Sequence, residues 1–142
     1  MSMLTRAKIN KAINDKIKSE FAGIKIQSQD VEEGFSRPSF YVSLETKRTE
    51  HFQRTMLREM TCRILFFPTD RHEYKEEAYD VQDRLEMLFG LNFAVEDRVI
   101  TIDGAQSDVI DKVVHYDFDF AYHEDTSKPE DGETIQEMEF NG

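Results

Sequence analysis

Val-Val-His-Tyr-Asp-Phe-Asp-Phe-Ala-Tyr, residues 113–122, carries the pattern that decides the fold. Val114, Tyr116, Phe118, Phe120 and Tyr122 alternate with His115, Asp117, Asp119, Ala121 and His123. Side chains leave a strand on opposite faces at successive residues. The alternation therefore predicts a strand from about Val109 to Tyr122, with one aromatic buried face and one polar face. A single apolar sheet face calls for a layer of helices over it.

Working backward along the chain, Leu91–Val95 and Arg98–Ile102 flank the pair Glu96-Asp97, which is hairpin spacing. Asp103-Gly104 reads as a further turn. The preceding helix is expected from Asp70 to Phe89, with Tyr74, Ala78, Val81, Leu85, Leu88 and Phe89 at helical spacing and Gly90 as its stop. Met56–Phe67 reads as a strand ended by Pro68, with Met60, Cys62, Ile64 and Phe66 on one face and Leu65 and Phe67 on the other. Phe40, Val42 and Leu44 mark another strand behind Pro38. The polar run 46–55 reads as a long hairpin connection with some strand character, and residues 28–37 as a loop. Ile24 and Ile26 mark a short strand. Ile9, Ile13, Ile17 and Phe21 make one narrow stripe on a surface helix from about Thr5 to Phe21, with Thr5 as N-cap and Gly23 just past its end.

The expected architecture is α+β: two helices and a mostly antiparallel sheet of about six strands, in the order α-β-β-β-α-β-β-β. At 142 residues the chain fits one domain. That domain is placed at 1–122, followed by an acidic C-terminal tail at 123–142. Formal net charge is −11. The tail holds seven acids and one lysine, a net of −6, which leaves −11 − (−6) = −5 for residues 1–122. No basic footprint for a nucleic-acid backbone is visible. The longest apolar runs fall well short of a membrane-spanning helix, and residues 1–11 carry no apolar segment of the secretion-signal kind. The lone Cys62 suits a reducing compartment.

Little in the sequence points to catalysis. His115, Asp117, Asp119 and His123 share a strand face and are metal and acid–base residue types, so a small metal-dependent hydrolase built on Asp117 and Asp119 is one reading. Spacing weighs against a single site, because the two histidines lie roughly 26 Å apart along an extended strand. The bland reading is the wet face of an amphipathic strand. Cys62 shares its face with Met60 and Ile64 and reads as a small core residue. No phosphate loop, nucleophile elbow or zinc-helix motif occurs, so no catalytic residue, metal ligand or cofactor site is assigned.

Two stretches are candidates for meeting other proteins. One is the polar connection with Lys47, Arg48, Glu50, His51 and Arg54, a locally basic stretch on an acidic chain. The other is the triad Ile135, Met138 and Phe140 within the acidic tail, either a docking segment or an ordinary terminus.

The run Gly34-Phe35-Ser36-Arg37-Pro38-Ser39-Phe40-Tyr41-Val42 and the strand end Arg63-Ile64-Leu65-Phe66-Phe67-Pro68 resemble the small tail terminator proteins of prophages in Bacillus and related Gram-positive bacteria. The resemblance spans roughly residues 4–122. It implies a virion structural protein rather than an enzyme. Six copies would form a ring on the head-proximal end of the tail tube, with the tube protein and a neck or head-completion protein as partners. DNA would pass through without specific binding, and no membrane would be involved. Assembly would take place in the bacterial host cytoplasm and the finished location would be the virion tail. Another head–tail connector or a host-directed interaction protein is the alternative from the same setting.

Overall fold

The computed structural model describes residues 3–27 and 36–126. Helix α1 is Arg6–Glu20, followed by strands β1 (Lys25–Gln27), β2 (Ser39–His51) and β3 (Thr55–Phe67). Helix α2 is Lys75–Phe89, followed by β4 (Asn92–Val95), β5 (Arg98–Ile110) and β6 (Val113–Asp125). The six strands form one sheet in the order β1-β2-β3-β6-β5-β4. This is the expected α+β order, but the sheet is mixed. β1 runs parallel to β2, and the other four pairings are antiparallel.

β6 lies at the centre, between β3 and β5. Val114, Tyr116, Phe118, Phe120 and Tyr122 are all buried. Phe118 is the hub of the aromatic layer, with ring centroids 5.0 Å from Phe89 of α2, 5.6 Å from Phe93 of β4 and 5.9 Å from Phe120. Met60, Cys62, Ile64 and Phe66 of β3 continue the same buried face.

Both helices cover this face. Thr5 caps α1 by accepting the Lys8 backbone N–H, and Ile9, Ile13, Ile17 and Phe21 bury completely. As expected of a surface helix, only this narrow stripe is buried, and Phe21 packs 4.9 Å from Phe40. In α2, Ala78, Val81, Leu85 and Phe89 are buried, and the helix ends at Gly90 with φ +52°, a backbone state that glycine takes without strain. The helix starts five residues later than Asp70. The Asp70 carboxylate accepts the His72 N–H in a local turn, and Glu77 accepts the Thr69 N–H and hydroxyl, so these groups hold the chain outside the helix.

Three readings of the polar stretches need correction. β2 and β3 run on to His51 and from Thr55, so the strand character expected within 46–55 takes up nearly all of it and the connection is a short hairpin turn rather than a long one. Asp103-Gly104 is a bulge inside β5, not a turn. The turn lies instead at Asp111-Lys112, both at positive φ, and splits the stretch taken as one strand from Val109. β6 also continues through His123, Glu124 and Asp125, which the sequence reading placed in the tail. Glu124 is buried, accepting the Leu4 backbone N–H and pairing with Arg98.

Cys62 sits within this core, and burial pushes its thiol well above the ordinary range. Two outcomes are expected. Phe118→Ala should cost about 3–5 kcal/mol in urea unfolding, because it opens a cavity at the aromatic hub. A thiol reagent at neutral pH should leave the native protein unlabelled and modify Cys62 fully once denaturant unfolds it.

Candidate assembly surfaces

With both helices on one side, no described element covers the other sheet face. It carries charge in place of apolar cover. Arg63 at its centre donates to both carboxylate oxygens of Glu45, at 2.9 and 3.1 Å, and to Asp117 at 3.0 Å. The Arg63 pairing holds the Glu45 carboxyl below the ordinary range. The Thr61 hydroxyl donates to Asp119 at 2.6 Å, and Lys47 approaches the other Asp119 oxygen at 3.7 Å. Asp117 and Asp119 are therefore each engaged by a cation of the same face. Among the described residues no group of three or more His, Cys, Asp or Glu side chains is arranged to hold a metal.

A groove of about 430 Å³ lies over this network, floored by Arg63, Thr61, Asp117 and Asp119. Its size falls within the usual range for a small-molecule site. Its lining does not suit an apolar ligand, because most of its charges are engaged in ion pairs with one another and only Gly104 and Ala105 among its lining residues are apolar. Such a face suits contact with water or a polar protein surface.

The predicted hairpin surface stands at one end of the sheet. Lys47 occupies a bulge between Thr46 and Arg48. Arg48 pairs with Glu50 at 2.8 Å and Glu59 at 3.5 Å. The basic stretch is thus largely neutralised within the chain. Arg54 differs: it is exposed and forms no ion pair among the described residues, although its backbone carbonyl accepts the Thr126 N–H. His51 is exposed beside it. Ile135, Met138 and Phe140 lie outside the described residues.

Sequence reading passed over three exposed apolar side chains. Phe52 projects from the hairpin tip at 50% exposure, while Met87 and Leu91 at the end of α2 reach 84% and 82%. The only signal for Met87 was its place off the helical stripe. Phe52 stands alone among polar residues in the hairpin connection, with no apolar period to mark it.

From Arg37 onward the two motifs singled out in the sequence form one unit. Ser39 pairs with Phe67 across β2 and β3, the Arg37 guanidinium lies 5.6 Å from the Phe67 ring, and Arg37 donates to the Pro68 carbonyl at 3.1 Å. No curated protein matches the chain. A family model described as phage tail terminator protein matches residues 8–132. That span reaches into both helices and covers all six strands, and the chain belongs to the phage tail terminator protein family.

Proposed function

We propose that this chain ends tail-tube growth by closing a ring of six copies on the head-proximal end of the tube. Membership of the family makes it a phage tail structural protein that meets other tail or neck proteins. In the proposed mechanism one rim of the ring matches the last ring of the tube. The other rim offers no site for a further tube subunit and receives a neck or head-completion protein. The work is steric, and no bond is made or broken.

The family match is the observation that carries this reading. Two features of the chain support it. The open face carries a polar, ion-paired surface of the kind that stays in water. The net charge of −11 would repel a passing DNA backbone and so keep it from sticking in a channel. Assembly is placed in the host cytoplasm, before the tail joins the head.

Deleting the gene in its phage and viewing the lysate by electron microscopy tests the role. Overlong or ragged tails without heads are expected. Tails of normal length joined to heads would remove the terminator reading. A second expectation concerns the hairpin: Arg48→Glu with Arg54→Glu should leave the circular dichroism spectrum unchanged and weaken assembly onto tubes. Normal tails from this double variant would rule out hairpin contact.

A further inference from the structure

Among the described residues both edges of the sheet are only half covered. β1 pairs with Ser39–Tyr41 alone, and among the described residues no strand lies along β2 from Val42 to His51. β4 pairs with Arg98–Thr101 alone, and the Ile102 N–H goes to the Leu91 carbonyl. Beyond that point no described strand lies along β5 from Asp103 to Ile110. Unpaired strand flanks of this length invite pairing with another chain.

The two half-covered edges are complementary in position. Arg98, at the turn between β4 and β5, reaches Glu124 and the His123 carbonyl. Those residues lie opposite Met56 and Leu57 of β3, which in turn oppose His51 and Glu50 of β2. β4 is therefore level with the uncovered end of β2. At the other end of the sheet, Phe40 beside β1 opposes Phe66, which opposes Val114, which opposes Val109 of β5. β1 is level with the uncovered end of β5. Each edge thus has a projecting strand where the opposite edge has a gap.

Direction and length agree with this match. β4 runs in the same sense as β2, so it would pair in parallel, as β1 already does. β1 would meet β5 antiparallel. The stretch of β2 after its bulge, Arg48–His51, spans the same four positions as β4. The bulge itself discourages indiscriminate pairing along the rest of β2.

Charge agrees as well. At one end, the exposed Arg54 beside β2 is level with the exposed Asp97 beside β4. At the other, the exposed Lys25 of β1 is level with Ile110, the last residue of β5, next to the exposed Asp111 of the following turn. Among the described residues Arg54, Asp97, Lys25 and Asp111 have no salt-bridge partner.

We infer that the two edges are halves of one joint between copies of this chain, with β4 of one copy seated beside β2 of the next and β1 of that next copy beside β5 of the first. The joint is heterologous, so it repeats in one direction and closes into a ring when the rotation per copy allows. The inference rests on the ring reading above and assigns the surfaces that make it.

Cysteine cross-linking tests the joint. Ala94 and Glu50 lie on the open face at matching levels, and Arg48 lies two positions along from Glu50. Tails made with Ala94→Cys plus Glu50→Cys, or Ala94→Cys plus Arg48→Cys for a register shifted by two, are oxidised and run on non-reducing gels. A ladder of covalent multimers up to the ring's copy number is expected from at least one pair, with none from any single variant. Cys62 is buried and stays silent. Rings on the tails without a ladder from either pair would overturn the joint while leaving the ring intact. Tails with no ring of this protein would overturn both readings. A charge exchange provides an independent check: Arg54→Glu should weaken assembly about fivefold, and adding Asp97→Lys should restore it. Failure of the second change to restore assembly would overturn the pairing of these two ends.

Discussion

One constraint organises this chain: the aromatic row of β6 must be kept from water on one side only. Five consecutive inward positions, Val114 to Tyr122, bury against two helices, while the intervening positions stay on the open face. Because β6 is central, its neighbours inherit the same division. β3 places Cys62 and Ile64 inward and Thr61 and Arg63 outward. The helices are then confined to one layer, and the opposite face must satisfy itself by ion pairing and solvent. The Glu45–Arg63–Asp117 bridge ties β2, β3 and β6 together there. Exposed pairs of this kind contribute little stability, so the fold depends on the buried side and the open side is free to be shaped by what it meets.

That division also explains which elements could be read from sequence. The stripe of α1, the inward face of α2 and the alternation in β6 were legible because each has a buried side that writes its period into the residues. Where burial ends, the pattern ends. Thr46–His51 extends past the core, and most of its side chains are exposed. A strand without a buried side has no hydrophobic period, so its sequence shows a hairpin connection without showing how far the strands extend into it. The Asp103 bulge was misread for a related reason. A bulge and a turn both recruit glycine, and only the continuing ladder to Ile110 separates them.

The candidate surfaces were less legible than the fold. Basic residues in 47–54 stand out by composition, yet Lys47 finds its partner on β6, in Asp119, and Arg48 adds Glu59 of β3 to its neighbour Glu50. Free charge is a property of three-dimensional pairing, and one sequence does not display it. Strand direction was hidden as well. Nothing in Lys25–Gln27 marks it as parallel to β2, and the unpaired flanks follow only from the completed strand order. The family motifs were easier to see because they report a packed contact, Arg37 against Phe67 and Pro68, rather than a surface.

The hairpin turns carry a cost that the chain could have avoided. Glu96, Asp111 and Lys112 adopt φ of 56°, 52° and 67°. Such left-handed conformations cost a residue with a Cβ on the order of 1–2 kcal/mol, less for Asp. Glycine is the common solution at these positions, and none is used. Charged side chains stand there in its place, at the two ends of one sheet edge. The native sequence therefore leaves thermal stability unclaimed at its turns, where a glycine exchange at Glu96 or Lys112 would raise the melting temperature without touching the core.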